Sequence, residues 1–502
     1  MKLKRIIAII LLVIILSFAG CNGGGSGEPN NNDSISASEP SGDGAGGGLI
    51  GGSDENSREN YKDSLPDDLD FGGAEYRVLC REDDDYNYEF IAEEIGEVVN
   101  DALYRRQMAV ENRLNVKIIP IKKPGDWNEQ NVFLSAMRNS INSGSDDYEI
   151  VASYAYYTTP LALDGNFVNL AEFPYIDYEK PWWPDSITKN LKIANKLHFI
   201  TGEYTLTLLR GINCIFFNKT IAQNYAFPSF YQIVLDGDWT FDKYSEIAKS
   251  VSQDLNGDGI FGKEDLYGHL SLSFDVYLSA FQLPLTETET DGTLKLAAYN
   301  EKFVSAYNKL YEFWNDAASY PIKLFDDTDW VWGRHIFTND QAMFNGGFLK
   351  WSEIFRDMTS DYGILPYPKY DKSQADYYTH PHNDHSLLCV PVTAVPGRYA
   401  MIGAVTEALA AEGYRTVTPA YFEVALKNKY NRDNESSQML DILVAGSTLT
   451  PGTLYSGSLN GVNQLLNQIH GGTSDITSYY DKNSGAYEKA FANFNEKFLR
   501  LD

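Results

Sequence analysis

Short apolar strands alternate with amphipathic helices in the first part of the chain, and this alternation restricts the fold more than any other feature. The predicted strands are residues 75–80, 116–120 and 148–152, and the predicted helices between them are residues 100–115 and 131–142. Strands in this order pair in parallel, with the helices packed on the faces of the sheet. In open sheets of this kind, ligands bind beyond the carboxyl ends of the strands.

Tyrosines follow the third predicted strand at such a carboxyl end. Tyr154, Tyr156 and Tyr157 come directly after the apolar residues of that strand, and acidic residues including Asp84 follow the first strand. Tyrosine rings have an apolar face and a polar hydroxyl, which suits them to binding surfaces as well as to cores. Their position therefore indicates a ligand site.

Later segments continue the α/β pattern. Residues 199–219 predict one or two strands that cross between lobes, and Thr240 is placed to cap a helix that runs to about Val251. Further helices are predicted at residues 300–316 and 400–411. No repeat of solenoid length is visible.

The N-terminus carries a predicted export signal. Basic residues near the start precede an apolar run, residues 6–18, that is short for a membrane span. The run ends in Ala19-Gly20-Cys21, which resembles the lipobox of bacterial lipoproteins. The resemblance implies that residues 1–20 are a signal peptide and that Cys21 is lipidated, with a palmitate among the lipid chains. The alternative is ordinary signal cleavage without a lipid.

A flexible tether is predicted after the lipidated cysteine. Residues 21–66 are rich in Gly, Ser, Asn and Asp and cannot bury enough apolar area to offset the entropy of ordering them. The predicted location is the extracellular face of the bacterial cytoplasmic membrane. Three body cysteines, Cys80, Cys214 and Cys389, lie singly in apolar contexts; buried thiols are the first interpretation, and one disulfide among them is the alternative.

The charge of the chain excludes some partners. Its 502 residues carry a formal net charge of −28. An acidic chain repels phosphate backbones and anionic lipids, so nucleic acid is not expected as a partner.

Several motifs downstream of the tether match a known family in order and spacing. The motifs are Asn100-Asp101-Ala102, Asn115-Val116-Lys117-Ile118, Lys180-Pro181-Trp182-Trp183, Phe216 with Asn218-Lys219, Gly237-Asp238-Trp239-Thr240, Gln341-Ala342-Met343-Phe344-Asn345-Gly346 and Tyr362-Gly363-Ile364-Leu365-Pro366-Tyr367-Pro368. Together they resemble the family 1 extracellular solute-binding proteins, the maltose-binding-protein-like receptors of carbohydrate ABC importers. Trp182 and Trp183 have two interpretations. The first is contact with the ligand, and the second is that the pair packs a loop against the body.

The resemblance implies a periplasmic-binding-protein-like type II fold, in which two α/β lobes joined by a hinge enclose a ligand cleft. Lobe I would comprise residues 67–205 and 371–410, and lobe II residues 206–370, with residues 411–502 forming C-terminal helices mainly on lobe II. In this family an aromatic residue after the Ala-Met strand often contacts the ligand. That residue would be Phe348 or Trp351 here.

Sugar recognition requires aromatic platforms for C–H faces and polar groups for hydroxyls. The candidates include the three tyrosines and Asp84 at the strand ends, and Glu203 and Arg210 beside the predicted crossover. The full set is Asp84, Tyr154, Tyr156, Tyr157, Glu203, Arg210, Asp329, Trp330, Trp332, Phe348 and Trp351. For each aromatic residue, core packing is the alternative.

One acidic loop matches the twelve-position calcium motif. Its oxygen donors would be Asp254, Asn256, Asp258, the carbonyl of Ile260 and Asp265, with Gly259 making the turn. Asp at the last position resembles dockerin-type loops, which predicts a structural Ca²⁺. An acidic turn without a metal is the alternative.

The chain contains a cluster of three histidines but none of the common catalytic motifs. His380, His382 and His385 have a spacing that could bind zinc or nickel, although a polar loop before an apolar strand is favoured. The chain has no GxSxG, P-loop, HExxH or Rossmann signature. The predicted function is therefore a monomeric, lipid-anchored carbohydrate receptor that delivers its ligand to an ABC permease. The alternatives are a secreted glycan-active enzyme and a receptor for peptides or metal.

Overall fold

The computed structural model describes residues 58–83, 89–90, 93–270, 273–316, 330–426 and 434–501. The strands are β1 (Ala74–Arg81), β2 (Val116–Lys123), β3 (Ile150–Tyr154), β4 (Asn213–Asn218), β5 (Tyr267–Leu270), β6 (Thr286–Thr288), β7 (Leu294–Leu296), β8 (Ala342–Phe348), β9 (Tyr362–Leu365) and β10 (Ser386–Cys389). The helices are α1 (Val98–Leu114), α2 (Gln130–Ser143), α3 (Ala155–Ala162), α4 (Asp185–Leu191), α5 (Thr207–Arg210), α6 (Lys219–Asn224), α7 (Phe230–Leu235), α8 (Phe241–Val251), α9 (Val276–Ala280), α10 (Glu301–Trp314), α11 (Trp330–Thr338), α12 (Ser352–Phe355), α13 (Tyr399–Glu412), α14 (Thr418–Leu426), α15 (Asn434–Ala445), α16 (Pro451–Leu454) and α17 (Ile476–Leu499).

The first sheet contains the three strands that the sequence predicts. Its order is β10-β3-β1-β2, with β1 parallel to both β2 and β3 and with β10 antiparallel to β3. All five residues of β3 are buried, as expected for a strand covered on both faces. The periodicity prediction for this region is therefore confirmed, and the structure adds β10 at the edge of the sheet.

The second sheet has the order β5-β8-β4-β9 and is mixed. Strand β8 pairs parallel to β5 and antiparallel to β4, which also pairs antiparallel to β9. Helix α8 begins where expected, because the Thr240 hydroxyl accepts a hydrogen bond from the Lys243 backbone N–H. In residues 199–219 only β4 is a strand, and the short helix α5 precedes it.

Several segments of the chain connect the elements around the first sheet with those around the second. The first connection, residues 202–212, leads from the first sheet to β4, and the second, residues 379–385, leads back to β10. The two run side by side, since the N–H of His382 donates to the carbonyl of Gly211 at 2.7 Å and the N–H of Asn213 donates to that of His380 at 3.3 Å.

A third connection leads away from α13, which packs on α1 and β1 of the first sheet. It begins with a π-helix, Gly413–Val417, and continues through α14 to α15, which packs on β9 of the second sheet. A π-helical turn inside a helical run often occurs at functional sites. Residues 446–449 return from α15 beside Thr379, whose carbonyl accepts from the N–H of Thr448 at 3.0 Å.

The tryptophan pair anchors a loop to the body, as the second interpretation predicts. Trp182 and Trp183 are almost fully buried, and their indole N–H groups donate to the two carboxylate oxygens of Glu407 on α13 at 3.0 and 2.8 Å. The first connection packs on the pair closely: a Cβ added at Gly202 would lie 2.3 Å from the Trp182 carbonyl oxygen. The pair is therefore part of the scaffold that supports this connection.

The three body cysteines are buried free thiols, which confirms the first interpretation. Burial raises the pKa of each thiol. No helix among the described residues is long and apolar enough to cross a membrane. The predicted signal peptide, Cys21 and residues 22–57 of the predicted tether lie outside the described residues. The last part of the predicted tether is not free: residues 58–65 begin with a 3-10 helix, include the buried Leu65 and pair with the body through Asp63 and Ser64.

Candidate functional site

Polar and aromatic side chains meet where β1 and β3 of the first sheet end. Arg81 is the last residue of β1, and its guanidinium lies 5.4 Å from the centre of the Tyr154 ring at the end of β3. The Tyr154 hydroxyl donates to the Asn383 side-chain oxygen at 3.2 Å. Asn383 belongs to the second connection, so these strand ends contact a segment that leads from one sheet to the other.

The same network reaches the carboxyl end of β8 in the second sheet. The ring of Phe348, the last residue of β8, lies 4.5 Å from that of His382. Lys350 follows two residues later, and its amine lies 3.2 Å from the Asp384 carboxylate. His382 lies 2.9 Å from the other oxygen of that carboxylate. We call the residues that join the two sheets in this way the inter-sheet cluster, and they are Arg81, Tyr154, Phe348, Lys350, His382, Asn383 and Asp384.

Asp384 is the buried anion of the inter-sheet cluster, with 5% of its surface exposed. Burial alone would raise its pKa, because a low-dielectric environment disfavours the charged form. The nearby His382, Lys350 and Arg81 outweigh burial and hold the pKa of Asp384 well below its usual range. The cluster therefore presents a permanent carboxylate surrounded by hydrogen-bond donors and aromatic rings.

Aromatic rings extend the cluster toward solvent. Trp127 is 48% exposed, and its ring centre lies 6.2 Å from that of Tyr154 and 5.5 Å from that of Tyr156. Trp127 belongs to a short 3-10 helix that Asp126 caps. An exposed indole beside two phenol rings provides an apolar face on which a flat ligand surface can stack.

The structure brings four of the sequence candidates to this place: Tyr154, Tyr156, Tyr157 and Phe348. Tyr157 packs 4.8 Å from Tyr154, but it is buried and its hydroxyl donates to the Gly125 carbonyl at 2.5 Å. It therefore supports the Tyr154 ring from behind. Tyr156, in the first turn of α3, is partly exposed and is the more accessible ring.

Glu203, Arg210 and Trp351 lie apart from the cluster and have partners of their own. Glu203 pairs with Arg58, whose Nη1 lies 2.9 Å from its carboxylate. Arg210 makes two 3.0 Å hydrogen bonds to Glu353. Trp351 is buried, and a Cβ at Gly347 would lie only 2.2 Å from its ring, so this indole fills a gap that glycine leaves in the core. Core packing, the alternative stated for each aromatic residue, is what the structure shows for Trp351.

Two candidates cannot be placed, and two are placed only by their backbone. Asp84 and Asp329 lie outside the described residues, and Trp330 and Trp332 lie in α11 with only the backbone described. Arg81, Lys350, Asn383, Asp384 and Trp127 are not among the ligand residues that the sequence predicts. For Arg81 a sequence signal exists, because a charged residue directly follows the apolar residues of a predicted strand.

The acidic loop folds on its own backbone. The two Asp254 oxygens accept from the N–H groups of Gly257 and Gly259 at 2.7 and 2.8 Å. The buried Asp265 accepts from those of Leu255 and Gly262 at 2.9 and 2.6 Å. The donor set of this loop, which also includes Asn256, Asp258 and the Ile260 carbonyl, is all oxygen and suits a hard cation. Calcium binding stays a prediction.

The three closely spaced histidines, His380, His382 and His385, contact different partners. His380 contacts the Ser279 hydroxyl at 3.1 Å, His382 contacts Asp384, and His385 contacts the His382 carbonyl at 2.8 Å. Burial lowers the pKa of His385 to about 4. Within the described ranges, no three His, Cys, Asp or Glu side chains are grouped closely enough to hold a metal ion. The polar-loop interpretation accounts for these contacts.

Solved structures similar to this chain are binding proteins with a periplasmic-binding-protein-like fold. A cyclic α-maltosyl-1,6-maltose binding protein from Arthrobacter globiformis has 14% identity and a TM-score of 0.55, covering 85% of this chain and 100% of that one. A cyclo/maltodextrin-binding protein complexed with maltotetraose has 12% identity and a TM-score of 0.54, covering 85% of this chain and 97% of that one.

A family 1 extracellular solute-binding protein from Bifidobacterium longum subsp. infantis has 12% identity and a TM-score of 0.52, covering 86% of this chain and 100% of that one. No protein-family model and no curated protein sequence matches the chain. At these identities the likeness shows the fold. The fold is the periplasmic-binding-protein-like one that the sequence analysis predicts, with two α/β lobes around the two sheets.

Proposed function

We propose that this protein binds a carbohydrate between its two lobes and delivers it to an ABC permease at the extracellular face of the cytoplasmic membrane. The observation that carries the proposal is the inter-sheet cluster, because its side chains come from the strand ends of both sheets and from the connection between them. A ligand held there contacts both lobes at once.

The chemistry of the cluster suits a sugar. The Asp384 carboxylate and the Asn383 amide accept or donate hydrogen bonds to hydroxyl groups, while Trp127 and Tyr156 offer ring faces to C–H surfaces and the buried Tyr154 supports them. The solved proteins of the same fold bind maltotetraose in one case and are named for a cyclic maltosyl-maltose in another. We therefore place the ligand among neutral oligosaccharides.

Ligand capture proceeds by a change in lobe separation. Contacts from both lobes stabilise the closed arrangement over the open one by the difference in ligand affinity between them. The segments that bend are the connections between the sheets. An anchor on Cys21 and a tether from there to residue 57 would keep the closed receptor close to its permease.

A thermal-shift screen with an oligosaccharide panel that includes maltotetraose tests this function. We expect at least one oligosaccharide to raise the melting temperature and to bind in calorimetric titration. Asp384→Asn should weaken that binding about a hundredfold, because hydrogen bonds to a charged group are among the strongest polar contacts. Arg105→Ala is the control, since its ion pair with Glu94 is exposed. The absence of binding across the panel would refute the proposal.

The same panel separates a receptor from a glycan-active enzyme. A receptor leaves the sugar unchanged, whereas a glycosidase releases new reducing ends on prolonged incubation. We expect a thermal shift without any increase in reducing ends. An increase in reducing ends would show that the protein is a glycan-active enzyme and not a receptor.

A further inference from the structure

The first described residues of the chain lie against two of the connections between the lobes. Residues 58–65 begin with a 3-10 helix, Arg58–Asn60, that packs on the π-helix Gly413–Val417 of the third connection. We call residues 58–65 the clasp. Nothing in the proposed sugar site involves the clasp.

Arg58 contacts both connections with one side chain. Its Nη1 lies 3.1 and 2.9 Å from the two carboxylate oxygens of Glu203, in the first connection. The same nitrogen donates to the Tyr414 carbonyl at 3.4 Å, and the guanidinium lies 4.1 Å from the centre of the Tyr414 ring. Thr418 also donates to Glu203 at 2.6 Å. Arg58 and Glu203 thus join the first connection to the third.

The two connections touch at this point. A Cβ added at Gly413 would lie 1.9 Å from the Glu203 carbonyl oxygen, so only glycine allows the two backbones to approach this closely. The π-helix and the first connection are therefore in backbone contact, and a change in lobe separation that rotates one of them alters this contact.

The remaining residues of the clasp attach it to the first lobe and to the third connection. Asp63 makes a bidentate pair with Arg113 of α1, at 2.7 and 2.8 Å. Arg415 donates to the Tyr61 carbonyl at 2.9 Å, and the Ser64 hydroxyl donates to Asp177 at 2.8 Å. The clasp is therefore held along its length.

We propose that the clasp regulates lobe opening by holding the first and third connections against each other. With Arg58 docked, the connections stay in register and the lobes favour one separation. With Arg58 released, by a pull on the preceding chain or by competition for Glu203, the connections slide more freely and the open and closed populations change. This inference uses the two-lobed fold and needs no particular ligand.

Amide hydrogen exchange and solution scattering of the unliganded full chain test the clasp. In Arg58→Ala we expect residues 202–206 and 413–418 to exchange about tenfold faster, which corresponds to one lost charge-assisted contact, while β1 and β4 keep their protection. The radius of gyration should also change. Arg58→Lys, which keeps the charge, should show smaller changes in both exchange and radius of gyration than Arg58→Ala. Arg105→Ala should show neither change.

Three outcomes would overturn the clasp. The first is unchanged exchange and scattering in Arg58→Ala. The second is faster exchange that extends over the whole first sheet, which marks a general loss of stability. The third is faster local exchange with an unaltered radius of gyration, which marks a packing role only. No sugar is present in these measurements, so a failure of the proposed function leaves their interpretation unaffected.

Discussion

Two buried carboxylates in this protein have opposite surroundings. Asp384, in the inter-sheet cluster, lies beside Lys350 and His382, and its pKa is held well below the usual range. Glu407, behind the first sheet, accepts from the indole N–H groups of Trp182 and Trp183, no cation among the described residues pairs with it, and burial raises its pKa to about 7.

The difference separates the carboxylate of the proposed sugar site from one that supports the scaffold. Cations keep Asp384 ionised, which the proposed hydrogen bonds to a sugar require. Neutral donors satisfy both oxygens of Glu407 without offsetting its desolvation, so its charge costs free energy near neutral pH. The four predictions that follow test this distinction, beginning with the largest expected effect.

Asp384→Asn should lower the free energy of unfolding by about 3 kcal/mol, because it leaves the partly buried Lys350 and His382 without their anion. Glu407→Gln should change the free energy of unfolding far less at pH 7, since the loss of one indole N–H acceptor, about 1 kcal/mol, is offset by removal of a charge whose desolvation no cation compensates. Urea unfolding at pH 7 measures both. Equal losses in the two variants would contradict the distinction between them.

The pH dependence of stability should carry the signature of Glu407. Its pKa is about 7 in the folded protein against a usual 4.5, so the folded state binds more protons between these values. The contribution of Glu407 is therefore fully present below pH 4.5 and is lost as pH rises to 7, by roughly 3 kcal/mol. Asp384 acts in the opposite direction, since its contribution is lost as pH falls below 3.8.

Urea unfolding between pH 4.5 and pH 8 measures the decline in the free energy of unfolding that Glu407 causes as pH rises. This decline should be smaller in Glu407→Gln and unchanged in Arg105→Ala. A decline of the same size in Glu407→Gln would assign the slope to other groups.

The acidic loop offers a third environment, in which backbone N–H groups surround the carboxylates. If calcium binds there, saturating Ca²⁺ should raise the free energy of unfolding by about 2 kcal/mol through mass action. Calorimetric titration should give heat with the wild type and none with the Asp254→Ala, Asp258→Ala double variant. Equal heats from both proteins would dismiss the site.

Trp127→Ala should give the smallest effect and the most selective one. Removing a half-exposed ring should reduce oligosaccharide affinity about fivefold, the usual size of one stacking contact, and should change the free energy of unfolding by less than about 0.5 kcal/mol. Calorimetric titration and urea unfolding measure the two quantities. A large loss of stability would place Trp127 with the buried scaffold.

The sequence predicted the parts of the fold that depend on neighbouring residues. Periodicity located β1, β2, β3 and the helices between them, and the strand-end rule selected Tyr154. It could not reveal that Lys350 and Asp384 meet, because that contact depends on the second connection passing between the sheets. Glu203 and Arg210 looked accessible as polar residues near a crossover, but each has a protein partner that only the three-dimensional structure supplies.

The pairing of β10 with β3 has a consequence for how the chain folds. The edge of β3 stays open during synthesis until residues 386–389 emerge, more than two hundred positions after Tyr154. Pairings between such distant segments form slowly, and an unpaired strand edge favours association with other chains in the meantime. The first lobe therefore reaches its final form only after most of the second has been made, so this edge needs protection until residues 386–389 have been synthesised.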